Sequence, residues 1–266
     1  MVDGRVGTAA EALVSLGATS ARARVMVADA VIDWLGLGWL WPNWLDELQG
    51  PSAPEFRLAI ADVGISLRLH APQTPDWLVP LCCNLLRPGV PAATEVVLAE
   101  MNGWWCLSDD IGLRVVVSDA GVAPALKAAL TDIFCQHLPD GFVVHAALVE
   151  VRESRILLMG PPGTGKSTLI ATLAASGLGC LSDDIVRIRR DGLALGVPFL
   201  PALKAGAWAM FEEADAFKAA PDWVRQDGQR VRYLENLLMF DAHPRRIAAI
   251  GFLTRRPGGD VSVQPV

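Results

Sequence analysis

Apolar residues change their spacing twice along this chain. From residue 7 to residue 48 they recur at helical intervals in two Ala-rich stretches, Thr8 to Leu16 and Ala21 to Leu35, and then crowd into GLGWLWPNWLDEL. This pattern predicts helices followed by a tryptophan-rich segment. From Phe56 to Asp119 the apolar runs become short, alternating or rich in β-formers, as in FRLAIADVGISLRLH, TEVVLAEMNGWWCLS and LRVVVSD, with Gly, Pro and Asp between them. A small antiparallel sheet is expected there. Leu126, Ala129, Leu130, Ile133 and Phe134 then fall at helical spacing, which predicts a helix over Val122 to Leu138. Beyond Gly141 a third rhythm begins. FVVHAALVEV, RILLMG, a glycine-rich loop, STLIATLAASG and GCLSDDIVRI read as strand, strand, loop, helix, strand. A last apolar run, Ile247 to Leu253, precedes RRPGGDVSVQPV, and no terminal helix is expected after it. Alternation of this kind implies an α/β sheet with its ligand site at the carboxyl ends of the strands.

The loop in that rhythm carries the strongest chemical signal. Residues Gly160, Pro161, Pro162, Gly163, Thr164, Gly165, Lys166, Ser167 and Thr168 match G-x-x-x-x-G-K-[ST] in full, directly after the apolar run Ile156 to Met159. Glycines at these positions let backbone N–H groups turn onto phosphate oxygens, Lys166 reaches the β/γ-phosphates, and Ser167 offers a hydroxyl to Mg²⁺. Leu169 to Leu173 then open a helix whose positive end faces the anion. A nucleoside triphosphate with Mg²⁺ is the expected ligand.

Composition narrows the setting. An apolar share of 52% raises the question of a membrane span, but Asp33, Pro42 and Lys166 interrupt the most apolar stretches, well short of about 18 uninterrupted residues. Asp3, Arg5 and Glu11 break any basic-then-apolar leader, so a cytoplasmic location is expected. A net charge of -6 argues against nucleic acid as a partner. The local cluster Arg187, Arg189 and Arg190 reads as a solvated strand edge or as a face toward an acidic substrate. Cys82, Cys83, Cys106, Cys135 and Cys180 lack zinc spacing and read as reduced, small, buried residues. Trp34, Trp39, Trp41 and Trp44 read as packing for a small domain, with a peptide-binding or membrane-surface role as the alternative.

A phosphate loop is common to ATPases, GTPases and kinases, and its companions decide between them. Seventeen residues after Lys166 comes the pair Asp183 and Asp184, after Leu181 and Ser182 at a strand end. Adjacent side chains on an extended chain point to opposite sides. One carboxylate can therefore face a metal while the other accepts a proton from a substrate hydroxyl. His145 stands among apolar neighbours in VVHAALVE, a setting that also suits a core histidine.

Taken together, HAALVE, GPPGTGKSTL and ASGLGCLSDDIVRI resemble, in order and spacing, the catalytic domain of HPr kinase/phosphorylase and its related serine kinases, over roughly residues 141 to 192. The resemblance implies a P-loop kinase domain of the HPr kinase type over residues 141–266, preceded by a smaller α+β region of helices and antiparallel sheet over residues 1–140. It implies Asp183 as general base for a seryl hydroxyl, Asp184 with Ser167 as Mg²⁺ partners, and His145 near the transferred phosphate. VPFLPALKAGA and RVRYL are similar to stretches in the same group, which implies Lys204 and Arg232 near the phosphates or substrate. The Glu-Arg-Gly-Leu-Gly type stretch of the bifunctional enzymes is replaced by LALGVPFLP, so a kinase without phosphorylase activity is expected. The first 140 residues look more like the leader portion of kinase-related proteins found with peptide-modifying systems. The implied phosphate donor is ATP with Mg²⁺, the implied acceptor is a protein or peptide carrying a serine, HPr or another, and the resemblance allows a homo-oligomer.

Three other readings stay open from the sequence. One is a kinase of the same fold acting on a small hydroxylated metabolite. Another is an AAA-type ATPase, supported by LLMFD at Leu237 to Asp241, although no Glu follows Asp241. The third is a nucleotide-binding scaffold with a degraded site.

Overall fold

The computed structural model describes residues 6–20, 22–23, 26–27, 29–30, 54–101, 103–138, 140–152, 154–235, 241 and 243–255. The tryptophans from Trp34 to Trp44, residues 237–240 of the LLMFD run and residues 256–266 lie outside the described residues. Helix α1, Val6–Ser15, occupies the first Ala-rich stretch. Five strands then form one sheet in sequence order, β1 Glu55–Ile60, β2 Val63–His70, β3 Thr94–Met101, β4 Trp104–Asp109 and β5 Gly112–Ser118. Three pairings are antiparallel, but β2 and β3 run parallel, with Ile65 opposite Thr94 and His70 opposite Ala99. The sheet is therefore mixed where alternation predicted an antiparallel one. Parallel neighbours need a crossover of about a dozen residues or more, and residues 71–93 supply it, including the short helix α2, Leu78–Cys82.

Helix α3, Val122–Gln136, lies where helical spacing predicts it and buries Val122, Leu126, Ala129, Leu130, Ile133 and Phe134. The second half of the chain carries β6 Phe142–His145, β7 Ala147–Val151, β8 Ser154–Met159, helix α4 Lys166–Ala175, β9 Gly179–Ser182, β10 Ile185–Ile188, β11 Leu193–Gly196, β12 Ala202–Lys204, helix α5 Asp215–Ala219, β13 Trp223–Val224, β14 Arg230–Tyr233 and β15 Arg245–Phe252. Seven of these strands form a sheet in the order β6-β10-β11-β15-β8-β7-β9, and β12-β14-β13 form a small separate one. Strand β15 runs parallel to β8, while the other described pairings of the large sheet are antiparallel. The architecture is mixed α/β with sheets of mixed strand orientation. No helix among the described residues is long and apolar enough to cross a membrane.

The largest apolar core draws on both sides of residue 140. Leu58, Ile65, Leu98, Leu126 and Phe134 pack in it with Val197, Phe199, Leu200, Trp223 and Tyr233, each fully buried large side chain contributing about 1.5–3 kcal/mol. Smaller clusters line the large sheet. Leu148, Leu157, Leu181 and Val186 form one, and Val149, Ile170 and Cys180 form another that joins α4 to the sheet.

Arg187 corrects the sequence reading of a solvated or substrate-facing edge. It is 4% exposed, and its guanidinium pairs with Asp62 in the β1–β2 turn and with Asp140 before β6. Arg189 does stay at the surface, paired with Asp191 at 2.9 Å. The cysteines divide as well. Cys82, Cys106 and Cys180 are buried, with burial pushing their thiols to about 12, 11 and 11, whereas Cys135 is exposed.

Candidate active site

The phosphate-type loop joins the carboxyl end of β8 to the start of α4. Its crest, Pro161 to Gly163, is exposed. The Pro161 carbonyl accepts hydrogen bonds from the Thr164 N–H at 3.3 Å and the Thr164 hydroxyl at 2.9 Å, which closes the turn. Gly165 takes φ 97°, as Gly163 takes 85°, a left-handed conformation that costs a residue with a Cβ about 1–2 kcal/mol. A Cβ on Gly160 would meet the Leu253 carbonyl oxygen at 2.8 Å. Local sequence therefore dictates local shape. Lys166 begins α4, is 6% exposed, and donates from Nζ to the Gly160 carbonyl at 2.6 Å, which holds its ammonium within the loop. Ser167 and Thr168 follow in the first helical turn, where backbone N–H groups have no intrahelical acceptor and can receive an anion.

The acidic pair sits in the turn between β9 and β10. The Ser182 hydroxyl donates to the Ile185 carbonyl at 2.7 Å and accepts from the Ile185 N–H at 3.2 Å, which fixes this turn. Asp183 is 2% exposed, and its Oδ1 has no hydrogen-bond partner. Burial raises its pKa, and the Asp184 charge adds to this; Lys127, the Ser167 hydroxyl and the Ala202 N–H act in the opposite direction. Asp184 diverges from it. Its Oδ1 lies 2.9 Å from His145 Nδ1 and its Oδ2 lies 3.2 Å from Lys127 Nζ. Burial alone would raise the Asp184 carboxyl, but the Lys127 charge and the His145 contact outweigh it and hold the group well below the usual carboxylate range.

His145 ends β6 opposite Ile185. Its side chain is 56% exposed, so it is not the core histidine that its apolar neighbours permit. Lys127 is the member of this cluster that the sequence did not mark. It projects from α3, before residue 140, to the acidic pair, with its Nζ 5.6 Å from the Phe199 ring centroid and 5.9 Å from that of Tyr233. Burial lowers its pKa, but Asp183 and Asp184 reverse this and leave it raised. Its only signal in the sequence is a charge inside the apolar run VAPALKAAL.

The remaining candidates divide. Burial lowers the pKa of Lys166, while Asp184 and Asp183 raise it and Lys204 lowers it further; loop lysine, acidic pair and Lys204 thus share one electrostatic neighbourhood. Arg232 is engaged elsewhere. Its Nε donates to Asp222 at 2.5 Å, it donates to the Phe217 carbonyl at 3.0 Å, and it stacks 4.7 Å from the ring centroids of both Trp208 and Phe217. Asp241 lies at the wrong end of the sheet for a metal-binding partner of the loop. It precedes β15, whose start pairs with the start of β8 at Arg155, and it bonds Arg155 at 2.6 Å and His243 Nδ1 at 2.9 Å. The loop leaves the opposite end of β8.

Among the described residues no three His, Cys, Asp or Glu gather to hold a metal on their own. Mg²⁺ in nucleotide sites is bound by one or two protein ligands together with phosphates and water. Ser167, ionised Asp184 and the unpartnered Asp183 Oδ1 fit that donor chemistry. A scan of protein-family models finds no match to this chain, and a search of curated proteins finds none significantly similar.

Proposed function

We propose that this protein is an ATP-dependent kinase of the HPr-kinase-like P-loop type, transferring the γ-phosphate to a seryl hydroxyl of a protein or peptide in the cytoplasm. The observation that carries this reading is the convergence of Lys166, Ser167, Asp183, Asp184 and His145 at one end of the sheet, with an unpartnered carboxylate oxygen among them. Mg²⁺-ATP would supply the electrophilic phosphorus and the metal charge that offsets the phosphates. Lys166 neutralises charge growing on the β/γ-phosphate oxygens. Asp183, with its raised pKa, takes the seryl proton as the serine oxygen bonds to phosphorus and ADP departs. Asp184 stays ionised between Lys127 and His145 and serves the metal side with Ser167. Lys127 acts through Asp184 and is a positioning residue.

The test is transfer of label from γ-labelled ATP, with Mg²⁺, to the lysate or to peptides encoded beside the gene, for wild type and Asp183→Asn. Label on an acceptor with wild type alone supports the kinase. Labelled phosphate released to water without any labelled acceptor would replace it with an ATPase reading, and nucleotide binding without either product would leave a scaffold.

A further inference from the structure

A cavity of about 210 Å³ shares Tyr233 with the surroundings of Lys127. Trp77, Trp223 and Tyr233 supply its aromatic walls, and Asp76 and Glu235 stand among its lining residues. The walls are fixed in advance. Trp77 packs edge-on between Trp105, at 5.8 Å and 78°, and Trp223, at 5.5 Å and 76°, and Trp105 Nε1 donates to Asp119 at 2.6 Å. Tyr233 belongs to both places, since its ring lies 5.9 Å from Lys127 Nζ, which is 3.2 Å from Asp184.

We propose that this cavity recognises the acceptor by taking the guanidinium or ammonium head of an Arg or Lys side chain. Aromatic faces attract cations through their negative quadrupole, and pre-set walls lose little freedom on binding. Asp76 and Glu235 are exposed, and among the described residues neither has an ion-pair partner. The nearby cations are already committed, Lys127 to Asp184 at 3.2 Å and Arg225 to Asp227 at 3.6 Å. An anionic ligand would meet two carboxylates, and an apolar one would cover them without satisfying them. A positive side chain satisfies both the walls and the rim. Tyr233, shared by the cavity and the surroundings of Lys127, places such a basic residue on the same acceptor segment as the phosphorylated serine. That acceptor role rests on the kinase reading, whereas the cation site itself does not.

The experiment uses the full chain and two probes, N-acetyl-arginine amide and N-acetyl-glutamate amide, titrated calorimetrically into wild type and into the double variant Asp76→Asn/Glu235→Gln. These exposed positions leave the core intact. Wild type should bind the arginine probe at least about ten-fold more tightly than the glutamate probe, and the double variant should lose about ten-fold of that affinity, as expected for removal of two carboxylates from the lining. Equal binding of both probes, or an unchanged affinity in the variant, overturns the proposal. In a second arm, serine peptides carrying Arg at successive distances are offered with ATP, and the double variant should raise KM with kcat unchanged. Transfer that ignores Arg position overturns the acceptor role and leaves the kinase standing; arginine binding with no transfer to any peptide or to any lysate protein leaves the cation site standing and overturns the kinase.

Discussion

Replacing Lys127 by methionine would leave Asp184 its side-chain contact with His145 and remove the cation that does most to lower the Asp183 pKa. Asp184 is 30% exposed and keeps part of its hydration, so the loss should stay below the cost of about 3–5 kcal/mol for a wholly buried pair; the denaturant midpoint should still fall, and Lys127→Arg should recover part of it. The acidic pair also sets a pH dependence. Asp184 has a folded pKa below its unfolded value, so its contribution to stability is present above the unfolded value of about 4 and is lost as pH falls through the folded one. Unfolding titrations at pH 7 and pH 3 should show wild type losing more stability than Asp184→Asn. For turnover, Asp183→Asn should keep nucleotide binding and lower kcat by about 10² or more, whereas Lys166→Ala should weaken nucleotide binding as well. The loop and the acidic pair were legible in the sequence because both are short-range: residue types and spacing alone dictate a glycine-rich turn and two diverging carboxylates. Lys127 was not. A lone lysine on an apolar helix reads as a solvated position, and only the packing of α3 against Phe199 and Tyr233 brings it to Asp184.

At the level of elements, the loop works only while β8, α4 and the end of β15 keep their spacing. Gly165→Ala forces a Cβ into φ 97°, and Gly160→Ala sets one against the Leu253 carbonyl at 2.8 Å. Each should abolish most nucleotide binding, measured by titration with a fluorescent ATP analogue, while circular dichroism stays near wild type, because the strain is confined to the turn. Strand and helix positions came largely from periodicity, and α3 falls within two residues of its expected end. Strand partners did not. Nothing in the alternation of TEVVLAEM distinguishes a hairpin partner from a parallel neighbour, and it is the 71–93 crossover that brings β3 beside β2. Arg187 was misread for a related reason, since the carboxylates that bury its charge, Asp62 and Asp140, lie 125 and 47 residues away in sequence.

Across the whole molecule, the shared core and the Arg187 bridge predict that the two halves unfold together. Calorimetry should give one cooperative transition, and two separated transitions would refute this. Arg187→Met should cost about 1–3 kcal/mol, less than loss of a wholly buried pair, because Asp62 and Asp140 are 54% and 37% exposed and return to water. The reach of Lys127 across residue 140 also constrains how such a chain can be inherited. Recombination at the loop before β6, the natural place to exchange the half that carries the glycine-rich loop, would part the lysine from its carboxylate. A chimera joined there should fold and function only when its donor brings a matching cation on the incoming helix, so that the unit of exchange is the pair of halves.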